Sequence, residues 1–250
     1  YRFASQPRIR QSAPFPARLS ETGLFADTEA HEMKPGVIGY SVIASGWNDG
    51  ALVKRWMAAP GDERIGYDQG GAWQFPNGTA LVQTLSVERE DHRGLAGPFR
   101  GETRIMLRQQ NEWVGYSYRW NEAQTNAELV GPAGAKAIFR VADAKSPGQF
   151  RRQDWVFPSR ADCMVCHSRA GGYVLGITGA NMNREHTYGA ITDSQVRTLS
   201  HVGFFRNAPQ RASPRGGALV DPYDASADLE RRVRSYLHIN CAGCHVRSGG

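Results

Sequence analysis

Between about residues 36 and 145, apolar and polar positions alternate in short runs separated by Gly, Pro and Asn. Leu81, Leu85 and Val87 follow the Pro76-Asn77-Gly78 turn, and Ile105 and Leu107 alternate with Arg104 and Arg108. Val114, Tyr116, Tyr118 and Trp120 share one face of a strand after the turn Gln110-Asn111. Successive side chains on a strand point to opposite faces, so this period predicts antiparallel strands with one face buried. The aromatic stripe reads as core rather than as a ligand platform. Residues 1–35 read differently. Pro7, Pro14 and Pro16 precede a helix-like stretch from Leu19 to His31, which predicts an arm laid over the body.

After about residue 150 the pattern shifts again. Thr192, with Gln195 three residues on, has the spacing of a capping box and predicts a helix ending near Gly203. Residues 207–224, rich in Pro, Gly, Ala and Ser, read as a linker. A second helix is predicted from Ser226, with Asp228 and Glu230 in the first turn, where acidic groups are favoured. Leu229, Val233 and Leu237 form its apolar stripe, and it runs into Cys241.

The cysteines supply the chemistry. All four lie in Cys163-Met164-Val165-Cys166-His167 and Cys241-Ala242-Gly243-Cys244-His245, two copies of C-x-x-C-H. Two thiols at this spacing can form thioethers to the two vinyl groups of one porphyrin, and the following histidine then ligates the iron. The motifs therefore predict two haem c groups, with His167 and His245 as proximal ligands. The competing readings are a shared Cys₄ zinc site and disulfides. Compact zinc sites separate their pairs by roughly 15–20 residues, whereas 74 lie between Cys166 and Cys241, and zinc leaves both histidines unexplained. Gly171, Gly172, Gly176 and Gly179 after the first motif would let backbone approach a flat cofactor.

A sixth ligand for the first haem has three named candidates, Met182 and His186 in the following loop and His201 on the capped helix, with another donor or no ligand as the alternative. At helical spacing His201 projects with Ser194, Arg197 and Thr198, which reads as a surface position. His238 reads as an ordinary helix residue, His31 and His92 as exposed, and Met33, Met57 and Met106 as packing residues.

The net charge of +6 raises the question of an anionic partner, but four haem propionates would offset most of it. No basic run interleaved with aromatics supports nucleic-acid binding. Arg160, Arg169 and Arg247 flank the motifs as candidate propionate partners, since a guanidinium pairs bidentately with carboxylate. No apolar run approaches the ~18 residues of a membrane span. Haem c attachment takes place outside the cytoplasm, so a periplasmic or extracellular location is expected, with Tyr1 a mature or trimmed start.

Beyond the motifs, Gly46 to Ala51 with Lys54-Arg55-Trp56, Phe75 to Thr79, Trp120 to Leu129, Trp155 to Ser159 and Ser235 to Asn240 carry a resemblance. Over roughly residues 36–250 the chain resembles a largely uncharacterised family of exported bacterial dihaem c-type proteins. The resemblance implies a role as electron acceptor for a periplasmic dehydrogenase, with another cytochrome as the alternative redox partner. It also implies residues past the second motif that complete the haem pocket. The expected fold class is therefore mixed: an N-terminal arm (1–35), an antiparallel β-rich domain (36–149), then a mainly α, cytochrome c-like dihaem region. That region comprises a first haem segment (150–206), the linker (207–224) and the incomplete start of a second haem domain (225–250). Electron transfer is the leading function. The alternative is a peroxidase-like dihaem oxidoreductase with one open iron site, and a third reading is a docking role for the β-domain. No phosphate loop, nucleophile elbow or metal-hydrolase motif points elsewhere.

Overall fold

A computed structural model describes residues 14–68, 71–89, 98–207 and 219–245. After a 3-10 turn at Leu19–Thr22, strands β1 (Phe25–Asp27) and β2 (Glu32–Met33) form a small hairpin. The central sheet follows: β3 (Ile38–Tyr40), β4 (Leu52–Ala58), β5 (Ala80–Val87), β6 (Phe99–Gln109), β7 (Glu112–Trp120) and β8 (Ala127–Leu129). These six strands are antiparallel and adjacent in chain order. β9 (Ala135–Ala142) and β10 (Phe150–Phe157) pair as a separate hairpin. Then come α1 (Arg160–Cys166), α2 (Gly179–Met182), the hairpin of β11 (Glu185–Tyr188) and β12 (Ile191–Ser194), α3 (Gln195–His201) and α4 (Leu229–Asn240).

The register of the sheet sorts its residues onto two faces. Trp56, Val82, Ile105 and Tyr116 are successive cross-strand partners on one face, and Met57, Leu81, Met106 and Gly115 on the other. The first face is covered by the arm. Leu19 and Phe25 pack there with Val82, Ile105, Tyr116, Tyr118 and Trp120. Phe15 stacks on Tyr116 with ring centroids 3.5 Å apart, and the Tyr118 hydroxyl donates to the Pro16 carbonyl at 2.8 Å. The second face carries Met57, Leu81 and Trp113 against Met182, Val196 and Leu199 from the C-terminal half. The β9–β10 hairpin closes the end of the sheet with Phe139, Trp155 and Phe157 on Leu85 and Val87.

The region after residue 150 is not mainly α and not cytochrome c-like. Of the described residues 37% are strand and 18% helical, and three of the four helices span 4 to 7 residues. The cause lies in local pattern. Trp155 and Phe157 are buried on either side of exposed Val156, the period of a strand, and pair with β9. The expected boundary at 149/150 thus falls between two strands of one hairpin. The capping box at Thr192 does not form either. Thr192 sits in β12 and Ser194 takes the N-cap position of α3. The Gln195 side chain is buried instead, accepting from the Ser41 amide at 2.7 Å and donating to the Ser41 and Met182 carbonyls. Helix α4, expected from Ser226, begins at Leu229 with the Asp228 carboxylate accepting from the Arg231 amide as N-cap, but Leu229, Val233 and Leu237 are exposed.

His31, expected on the surface, is half-buried at the arm–sheet contact, in the left-handed region at φ 59°. Its ring lies against Phe25, Trp56 and Trp120, and Nε2 is 3.0 Å from Thr84 Oγ1. Burial, with the charges of Arg100 and Lys54, holds its pKa down at about 4. The folded state therefore resists a proton that the unfolded chain accepts near pH 6.5, so stability is full above that pH and is lost as pH falls toward about 4. With partial solvent access the loss is on the order of 2 kcal/mol. Denaturant titrations at pH 7 and 4.5 should show this loss, and His31→Gln should flatten it.

Candidate functional site

The first motif is placed by a short capped helix. The Ser159 amide donates to Asp162 Oδ2 at 2.9 Å, and the Asp162 amide donates back to Ser159 Oγ at 3.2 Å. The Ser159 hydroxyl, donating to Asp162 Oδ2 at 2.7 Å, and then the Ser159 amide hold the Asp162 carboxyl below its ordinary pKa. One turn of α1 separates Cys163 from Cys166, so both thiols share a face of the helix. Cys163 is pressed onto β7 at the position with the smallest side chain, while Cys166 stays exposed. A Cβ placed at Gly115 would lie 2.4 Å from Cys163 Cβ and 2.8 Å from its sulfur. Gly115 has no left-handed φ to demand glycine, so its requirement is for space.

After α1 the chain doubles back through Gly172 and Tyr173, both at positive φ. This turn brings the Tyr173 carbonyl to 2.6 Å from His167 Nδ1. A carbonyl only accepts, so Nδ1 carries the proton and Nε2 keeps its lone pair. Burial lowers the His167 pKa, against the opposing pull of the Tyr173 carbonyl and with help from the Arg104 charge. The ring is thus oriented and neutral, the state a metal-ligating imidazole needs. Burial raises the Cys163 thiol pKa, while Arg104 pulls it down.

Cys163, Cys166 and His167 line one cavity of about 440 Å³ between α1, the sheet and the 174–177 segment. Its volume falls within the ~300–1,000 Å³ of small-molecule and cofactor sites. Leu81, Met106 and Ile177 give it apolar walls, and Arg55 and Arg104 supply cationic ones. Arg104 is held by the fully buried Glu102, donating from Nε at 2.8 Å and Nη2 at 2.9 Å. Ser117 Oγ and Trp155 Nε1 donate to the same carboxylate at 2.7 and 3.1 Å. Burial opposes the Arg104 charge, but the charge and hydrogen bonds of Glu102 outweigh it and raise the pKa. The residues present fit a haem tethered at the first motif, with Arg55 and the Glu102-paired Arg104 on the cavity wall.

The two described motif-flanking arginines, Arg160 and Arg169, do not line the cavity. Arg160 lies over the Tyr116 ring, Arg169 pairs with Glu112 at the surface, and Arg247 lies outside the described residues. His92 also falls outside them. None of the three sixth-ligand candidates lines the cavity. Met182 is fully buried in the core, with its sulfur 3.7 Å from Gln195 Nε2. His186, on β11, bonds Ser41 Oγ through Nδ1 at 2.7 Å and faces a neighbouring cavity. His201 is exposed at the end of α3. Met106, read from sequence as packing, is the methionine among the described residues that lines the cavity.

The second motif repeats the local turn of the first. His245 N donates to the Cys241 carbonyl at 2.9 Å, as His167 N does to Cys163 at 3.1 Å. Helix α4 delivers it to the same place. Ile239 and Asn240 border the first cavity, and Asn240 Oδ1 accepts from the Trp47 amide at 2.7 Å. Cys241 and Cys244 are half-buried and His245 is exposed. Among the described residues no three His, Cys, Asp or Glu side chains converge as metal ligands. A C-x-x-C-H site asks a single histidine of its iron. No family model, curated protein or solved structure matches this chain.

Three substitutions test the architecture. Gly115→Ala should cost about 2 kcal/mol by driving a methyl into Cys163. Gly131→Ala, with nothing within 4 Å of the added methyl, should stay within about 0.5 kcal/mol in the same thermal melts. Glu102→Gln leaves the Arg104 charge without its counter-ion and should cost about 3 kcal/mol in denaturant titration.

Proposed function

We propose that this protein is an exported dihaem c-type cytochrome that carries electrons. The observation that carries the reading is the arrangement at the first motif. Two thiols and an imidazole line one cavity, and the imidazole's Nδ1 is committed to the Tyr173 carbonyl. Cys163 and Cys166 would tether one haem, each S–H adding across a vinyl group, with His167 Nε2 as the iron ligand. Cys241, Cys244 and His245 would hold a second in the same way. Bound haem supplies a one-electron couple. In support, the chain orients His167, lines the cavity with apolar residues, and carries Arg55 and Arg104 on its wall, where they could pair with haem carboxylates.

Such a protein works in the periplasm or at the cell exterior, with a protein partner such as a periplasmic dehydrogenase or another cytochrome. The resemblance to exported dihaem proteins supports that choice of partner. One observation favours a second reading, an oxidoreductase with an open iron site: Met182, His186 and His201 all lie off the cavity.

Haem counting by absorbance on natively matured protein tests the proposal. Cys163→Ser with Cys166→Ser should halve the haem per chain, as should Cys241→Ser with Cys244→Ser. Equal haem content in both variants and the parent would exclude attachment at the motifs. Mixing the reduced protein with peroxide separates the two readings: a carrier bleaches slowly, whereas an open site reoxidises within the mixing time and on repeated additions.

A further inference from the structure

The two motifs, 74 residues apart in sequence, are packed against each other, and glycine makes the contact possible. A Cβ at Gly171 would lie 2.7 Å from the Gly243 carbonyl oxygen and 3.3 Å from that of Cys166. A Cβ at Gly243 would lie 2.8 Å from Leu175 Cδ2. Neither glycine has positive φ, so it is proximity that excludes a side chain. At this contact Cys244 lies close enough to add to burial in pushing the Cys166 thiol pKa up.

An independent set of bonds fixes α4 from the other side. Asn240 is held by the Trp47 amide, and Ile239 Cγ2 reaches 3.7 Å from a Cβ built at Gly46. The loop bearing Gly46 is itself anchored where Asn181 bonds both the amide and the carbonyl of Ala44, at 2.8 and 3.1 Å. The second motif is therefore located relative to the sheet and to the first motif at once.

Resting on the haem reading above, we propose that Gly171, Leu175 and Gly243 clamp the two attachment sites into one unit, so that the groups bound there behave as an interacting pair. Cys166 tethers one group and Cys244 the other, so their contact sets the tethered edges side by side. The charge on one bound group would then be felt by its neighbour across that short separation. Gly171, Leu175 and Gly243 are positioning residues; they touch neither iron.

EPR spectroscopy during a stepwise redox titration of the matured protein tests this. The expected result is two ferric signals that broaden each other, each changing as the other centre is reduced. Gly171→Val, with both haems retained, should give two independent signals. Two attached haems that never influence each other, or a Gly171→Val protein with the parent's coupling, overturns the clamp while leaving the haem reading intact. If the matured chain carries no haem, the functional reading falls and the clamp is read on free thiols. Mild oxidation followed by peptide mapping should then yield a Cys166–Cys244 cross-link, and links confined within each motif would overturn it.

Discussion

Cys163 reaches the floor of the cavity because position 115 has no side chain. That close approach seats α1 directly on the central sheet, and it sets where everything downstream of α1 can lie. With α1 seated, the turn after it must fold back over the helix end, which delivers the Tyr173 carbonyl to His167. The same turn offers Gly171 and Leu175 to the second motif. A bulkier residue in β7 would lift the helix, and both the imidazole orientation and the contact between motifs would go with it.

The sheet acts as a partition. One face is taken by the N-terminal arm, with Phe15, Leu19, Phe25 and His31 seated on the aromatic stripe. The other face is left for the residues that could do chemistry. Glu102, Arg104 and Gly115 all project there, by the simple parity of strand positions. Burying a carboxylate is costly unless its acceptors are filled. Here Arg104, Ser117 and Trp155 fill them, and the reward is an arginine with a fixed orientation at the cavity wall.

Much of the sheet was legible from residue pattern. Alternation marked β5, β6 and β7, and Gln110 and Asn111 do form their hairpin turn, both at positive φ (53° and 64°). The helical reading of the C-terminal region failed because capping signals were weighed without tertiary demand. Gln195 has the spacing of a capping residue, yet its amide is drawn inward to serve the backbone of Ser41 and Met182. The motif residues of the site were legible from spacing alone, because C-x-x-C-H is a statement about covalent reach. Its supporting groups were not. The Tyr173 carbonyl is a backbone atom, which no residue-type pattern can flag, and Gly115 looks like any glycine until α1 lands on it. The Glu102-x-Arg104 pair was a readable signal, since both residues face the same way on one strand.

The account stands on covalent porphyrin at both motifs. Its most direct test is the intact mass of the chain matured with haem-ligation machinery outside the cytoplasm. The predicted result is a single species carrying the polypeptide plus two haems; unmodified polypeptide, with zinc rather than iron in a metal assay, would contradict it.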